Sequence, residues 1–192
     1  MARIPRAAGG PLTRLAFRFT RRHFARLTGS APDRAIEPLE LFAHVPRLLR
    51  AYSRLEQSTA RLPGLDHRTD ALAELKAATV VRCEFCMDLA SQVARQWGLS
   101  DTELQALPGY RSSDLFGDRD RLVLDYAAAM SRTPVRVPDE LVAALRDHFT
   151  DAQLVQLTFL IALENLRGRF NAALGVEAAG FSDGMVCAVP TD

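Results

Sequence analysis

The sequence predicts an all-α protein. Three observations carry that reading: apolar residues recur at helical spacing, capping signatures separate the recurrences, and no segment alternates as a strand does. With 192 residues, 48% hydrophobic and 24% charged, the chain has enough apolar material for one core.

Taken in order, Leu12, Leu15, Ala16, Phe19, His23 and Leu27 share one stripe, with Arg14, Arg18, Arg21 and Arg22 mostly elsewhere. The segment reads as a basic amphipathic helix followed by a linker, Gly29-Ser30-Ala31-Pro32. Such an arm can lie on an anionic membrane, pack on a partner subunit or fold back on its own domain. The membrane is the disfavoured choice. Leu39 to His44 reads as a short helix, and Pro46 starts a longer one through about Arg61, closed by Pro63-Gly64. The next helix should span Asp66 to Val81, and Gly98 should cap the helix after it. Ser100-Asp101-Thr102-Glu103 is a capping box for a short helix that Pro108-Gly109 should end. Asp118 to Arg132 is a further helix, stopped by Pro134. Pro138 suits the first turn of a helix reaching His148. Thr150-Asp151-Ala152-Gln153 is a second capping box, opening a long apolar helix to Leu174 with Gly175 as its cap. The expected organisation is an arm over 1–32, a helical domain over 33–180 and a tail over 181–192.

Charge is unevenly placed. Residues 1–32 carry seven arginines and no acid, which leaves 17 basic against 23 acidic residues in the remainder. The net charge of +1 offers no reason to expect nucleic acid as a partner. Arginines interrupt the first 30 residues too often for a secretory signal. The longest apolar run, Leu154 to Leu163, contains Gln156 and ends at Glu164, too short for a membrane span. A cytoplasmic, reducing location is the expectation.

The chemistry centres on Arg82-Cys83-Glu84-Phe85-Cys86-Met87-Asp88. Cys187 is the one other cysteine, so neither a disulfide framework nor a zinc site is expected. Cysteines three apart at the start of a helix can open and close a disulfide in one turn. There the helix N-terminus favours the reactive thiolate. The competing reading is two inert core cysteines.

The chain from Leu41 to Leu107 resembles the alkylhydroperoxidase D-like branch of the carboxymuconolactone decarboxylase family. The resemblance rests on His44-Val45-Pro46 with Leu48-Leu49, on Glu74-Leu75-Lys76-Ala77-Ala78, on Cys83 to Asp88, and on Ala94-Arg95 with Gly98-Leu99-Ser100. Ala162 to Asn165 and Arg169 to Asn171 extend it to a longer subgroup. It implies an alkylhydroperoxidase D-like helical bundle, a homo-oligomer, a peroxide substrate, a dithiol reductant and no cofactor or metal. By position, Cys86 becomes the sulfenic acid, with Cys83 as its proton donor and resolving partner. The helix-terminus effect by itself would favour Cys83. The family's relay histidine and glutamate fall on Ala90 and Ala71 here, so a proton acceptor must come from elsewhere.

Glu164, after an uncharged stretch, is the first candidate. The alternative is a buried partner for Arg167 or Arg169. Glu74 is the second candidate, against a solvated helix charge. Asp88 is read as an acid in the first turn that complements the helix dipole. His44 is a weak site candidate. Trp97 and the phenylalanines, Phe85 included, are read as packing. The function that follows is a thiol-dependent peroxidase. A non-catalytic redox sensor is the alternative, and a lactone decarboxylase-like enzyme is third because that branch does not depend on a Cys-x-x-Cys pair.

Overall fold

The computed structural model describes residues 2–60, 62 and 64–190. Among them the chain forms α1 (Pro11–Thr28), α2 (Glu37–Phe42), α3 (Pro46–Thr59), α4 (His67–Val80), α5 (Glu84–Gln96), α6 (Asp101–Ala106), α7 (Asp118–Ser131), α8 (Asp139–Arg146) and α9 (Asp151–Leu174). A 3₁₀ segment, Leu107–Ser112, follows α6. The fold is all-helical.

α4 is the hub, packed by α5, α7 and α9. Its composition explains this. Ala71, Ala73, Ala77 and Ala78 are all buried, and small side chains let three neighbours approach one helix. Leu72 and Leu75 are fully buried and fill the remaining space. Asp66 caps the start, accepting from the Thr69 N–H at 2.9 Å, a bond worth about 1 kcal/mol. Lys76, the single lysine of the chain, is buried with its ammonium 4.9 Å from the Tyr110 ring centre.

Both capping boxes form, at Ser100/Glu103 on α6 and at Thr150/Gln153 on α9. Gly175 closes α9 with φ 69°, a left-handed position where a β-carbon is costly. The arm folds back on the body: α1 packs on α5, with Phe17 buried in a cluster that includes Cys83, Cys86 and Phe181. The C-terminal segment also packs inward, burying Phe181, Ser182 and Ala188. None of the described helices is long and apolar enough to cross a membrane.

Some expectations need correction. α6 ends at Ala106, just before Pro108-Gly109 as expected, but the chain then tightens into the 3₁₀ segment with Pro108 in its first turn. A proline lacks only the N–H that an early helical position leaves unpaired anyway. Pro138 is the N-cap of α8, one residue before its first turn. α2 starts at Glu37 and ends at Phe42, two residues short of His44. Arg61 and Pro63, expected near the end of α3, lie outside the described residues.

Candidate active site

The turn between α4 and α5 builds the site. α4 ends with Arg82 in the left-handed conformation, φ 56°, and the Cys83 N–H reaches back to the Ala78 carbonyl at 3.1 Å. This is a Schellman closure, which fixes the angle at which the next helix begins. Cys83 then becomes the N-cap of α5. Its sulfur accepts the Cys86 N–H at 3.2 Å, the place a serine or aspartate oxygen usually takes. Cys83 and Cys86 form a disulfide, their Cα atoms 5.2 Å apart. Both are enclosed, at 2% and 6% exposure, with Cys86 the more open.

α9 supplies the opposite wall. The Asn171 side-chain amide stands 3.6 Å from the Cys83 sulfur and 3.6 Å from the Cys86 sulfur. The Asn171 Oδ1 has no hydrogen-bond partner among the described residues. One turn earlier is Gly168, where a β-carbon would stand 2.5 Å from Val81 Cγ2 and 3.4 Å from Cys83 Cβ. Any larger residue there would force the Val81 side chain or the helix spacing to shift. Phe85 and Phe181 meet edge to face at 6.0 Å and make the rest of the surroundings apolar.

Farther along α9, three carboxylates converge on one guanidinium. Arg167 holds Glu56 bidentately at 2.9 and 2.6 Å. Its Nη1 also donates to Glu74 at 2.9 Å and to Glu164 at 3.0 Å. Burial opposes ionisation of Glu56, but the Arg167 hydrogen bonds and charge outweigh it and hold that carboxyl below its usual value. Glu164 goes the other way. Burial pushes it up to about 8 against the opposing pull of Arg167, with the Glu74 charge adding to the rise. One positive charge cannot balance three negative ones in a dry site, so Glu164 keeps its proton near neutrality. Its Oε1 has no partner among the described residues.

The expected site residues therefore fall into two groups. Cys83 and Cys86 are joined, and Glu74 and Glu164 meet at Arg167. Neither carboxylate is hydrogen-bonded to a sulfur. Arg169 donates to Thr133 and not to Glu164. Asp70 is half-buried, and burial followed by the Glu74 and Asp66 charges raises it to about 6. Ala71 belongs to the main core, with Ala90 packed against it. His44 is bonded to the Pro5 carbonyl at 2.7 Å. His67 stacks on Trp97 at 4.8 Å.

Asp88 is a correction. It is the fifth residue of α5, past the first turn. It accepts the backbone N–H groups of Ala179, Gly180, Phe181 and Ser182 at 2.7 to 3.0 Å. The buried carboxylate pins the C-terminal loop against α5, and so places Phe181 beside Phe85. Sequence reasoning named Arg167 only as a partner for Glu164, and gave no role to Gly168 or Asn171. A signal was present: Arg167, Gly168 and Asn171 follow Glu164 by 3, 4 and 7 residues, which puts a charged and polar row on one face of the apolar helix.

This arrangement of a capped cysteine pair between α4 and α5 lies inside a recognised sequence segment. Residues 46–129 match the carboxymuconolactone decarboxylase family. Over 127 residues the chain is 42% identical to the uncharacterized protein YnjA of Escherichia coli (strain K12), covering 66% of this chain and 66% of that protein. The fold is shared with the debrominase Bmp8, solved as a cysteine-to-alanine variant in complex with 2,3,4-tribromopyrrole. The TM-score is 0.77 at 16% identity, over 93% of this chain and 95% of that one. It is shared too with ATU0492 from Agrobacterium tumefaciens, of unknown function and described as a candidate antioxidant defence protein AhpD. That TM-score is 0.64 at 26% identity, over 72% of this chain and 94% of that one. The carboxymuconolactone decarboxylase match contains both cysteines, Glu56 and Glu74. Arg167, Glu164 and Asn171 come from beyond it.

Proposed function

We propose that the chain is a thiol-dependent peroxidase in which Cys83 and Cys86 cycle between dithiol and disulfide. The observation that carries this reading is the pair itself, closed within one helical turn and touched at both sulfurs by one amide donor. In the reduced protein the Cys86 thiolate attacks the outer peroxide oxygen, the O–O bond breaks, and the alkoxide leaves with a proton as alcohol. Cys86 is then a sulfenic acid. Cys83 attacks that sulfur, water leaves, and the disulfide forms. An external dithiol returns two electrons and two protons by exchange. Cys86 is assigned the first attack because it is the more open of the two and because the family resemblance points the same way.

Glu164 is proposed to hold the proton, with Glu74 beside it on Arg167 as the second candidate. They act through the Arg167 network, since Glu164 retains a proton near neutrality and, among the described residues, no carboxylate is hydrogen-bonded to either sulfur of the pair. The reaction is set in an assembly of several copies, in keeping with the AhpD-like fold neighbours.

Thiol counting after tert-butyl hydroperoxide treatment tests this reading, with mass spectrometry of the peptide spanning the pair. The expected result is loss of two thiols per chain, reversed by dihydrolipoate, and no disulfide in Cys86→Ser. Two unmodified thiols after millimolar peroxide would sink it. Bromide release from 2,3,4-tribromopyrrole, the ligand of the Bmp8 neighbour, in preference to peroxide reduction would assign the pair to reductive dehalogenation instead.

A further inference from the structure

Leu12, Leu15 and Phe19 share the apolar stripe that the sequence places on α1, and the structure turns that stripe away from the body. α1 docks instead through Phe17 and Thr28, its buried residues, and through Phe24, whose ring meets Phe181 edge to face at 6.0 Å. Those three residues lie on the opposite side of the helix from Leu12, Leu15 and Phe19. The outward residues are 84%, 48% and 59% exposed, and none of residues 11–16 is buried. The fold-back expected for the arm is therefore met by one face only, which leaves the other for a partner.

The outer face is also charged. Arg14, Arg18, Arg22 and Arg26 recur every four residues and form a ridge beside the apolar stripe. All four are exposed. None of their guanidinium groups has an ion-pair or hydrogen-bond partner among the described residues. Arg21 differs: it points to the body, donating to Glu40 at 2.8 Å and to the Asp33 carbonyl at 2.6 Å. The chain ahead of α1 is tied down as well, through the Arg3 N–H to the Leu174 carbonyl at 2.7 Å and the Ala7 N–H to the Glu40 carbonyl at 3.2 Å. The face is thus preformed, and docking adds little ordering cost.

We propose that the outer face of α1 docks on an anionic lipid surface. The helix lies flat, with Leu12, Leu15 and Phe19 among the upper acyl chains and the arginine ridge at the phosphates. Helices that carry leucine and phenylalanine beside arginines take this position, and each arginine gains from the negative surface. A membrane, disfavoured on the sequence alone, fits the face that the fold leaves open. Pairing of α1 with the same helix of a second copy does not fit it. Residues 1–32 hold seven arginines and no acid, so a two-fold contact would set one arginine ridge against another. The proposal is independent of the peroxidase reading.

Co-sedimentation of the full chain with vesicles tests it, at low salt, using equal parts phosphatidylglycerol and phosphatidylcholine, with phosphatidylcholine alone for comparison. The anionic vesicles should bind the protein, and high salt should release most of it. Arg18→Gln and Arg22→Gln should each weaken binding about fivefold. Phe19→Ser, which leaves the charge unchanged, should weaken it about tenfold. These side chains are exposed, and circular dichroism of each variant should match the wild type. No binding to the anionic vesicles, equal binding to phosphatidylcholine alone, or unchanged affinity in all three variants would overturn the proposal. A wild-type protein that ignores vesicles, together with a lower particle mass for Phe19→Ser in light scattering, would overturn it in favour of a contact between copies.

Discussion

The Asn171 side-chain amide is 3.6 Å from the Cys86 sulfur, 85 residues away in sequence, and equally close to Cys83. A single neutral donor thus faces both ends of the disulfide inside an apolar enclosure. When the bond opens, that donor is already in place to stabilise a thiolate, in a setting where burial works against one. Asn171 is held at that place because Gly168 lets α9 approach Val81 and Cys83.

Asn171→Ala should therefore slow oxidation of the reduced pair about tenfold at neutral pH, the rate equivalent of one lost hydrogen bond. Asn171→Asp should slow it further, since a negative charge opposes thiolate formation. Stopped-flow oxidation together with circular dichroism checks this. Equal rates in all three proteins would remove the amide from the mechanism.

Stability should fall with rising pH because of Glu164. An ordinary glutamate titrates near 4.5, whereas Glu164 in the folded chain does so at about 8. Between those values the folded state binds more protons than the unfolded one, so each step up in pH favours unfolding. Asp70, raised from 3.8 to about 6, adds a slope of the same sign over its narrower window. Glu164→Gln mimics the protonated acid and should flatten the dependence, with a gain of ~2 kcal/mol at pH 8 and little change at pH 5. Thermal melts across pH 5 to 8 supply the comparison. Slower Cys86 oxidation in the same variant, without loss of stability, would support its proton-holding role.

The contact at Gly168 should be intolerant of one methyl group. Gly168→Ala puts a carbon 2.5 Å from Val81 Cγ2, and overpacking of this kind costs about 1–3 kcal/mol. Removing the obstacle in the Val81→Ala/Gly168→Ala double variant should recover most of that loss. Chemical denaturation of the single and double variants measures the coupling. Simple additivity would mean the helices separate without cost.

Val155, Phe159 and Leu166 form an exposed row along α9, at 70%, 39% and 47% exposure. None of the residues of α3, an amphipathic helix, is buried. Apolar surface of this kind fits assembly with further copies. Phe159→Asp should reduce the particle mass measured by light scattering at micromolar concentration. A wild-type monomer under those conditions would refute assembly outright.

Much of the fold was legible because its signals are local. Ser100 with Glu103 and Thr150 with Gln153 satisfy their own helix termini, so four residues suffice to announce each helix start. The Cys83–Cys86 pair is equally local, being one turn of one helix. Asp88 was misread because its partners begin 91 residues later, and no local pattern says which backbone amides a carboxylate will meet. Burial of Glu164 was legible from the uncharged stretch before it. Its partners were only half so: Arg167 is three residues along the same helix, but Glu74 and Glu56 lie 93 and 111 residues from Arg167.

The sequence by itself determined the helical class, many of the helix starts and stops, and the one place where two cysteines could pair within a turn. Each depends on interactions within a few residues, where backbone geometry leaves little choice. Tertiary structure alone decided that one asparagine serves both sulfurs and that three glutamates share one arginine. Those relationships bring together chain segments tens of residues apart. Their distances depend on how closely α9 packs on α4 and α5, which side-chain volume at Gly168 and the α4 alanines sets.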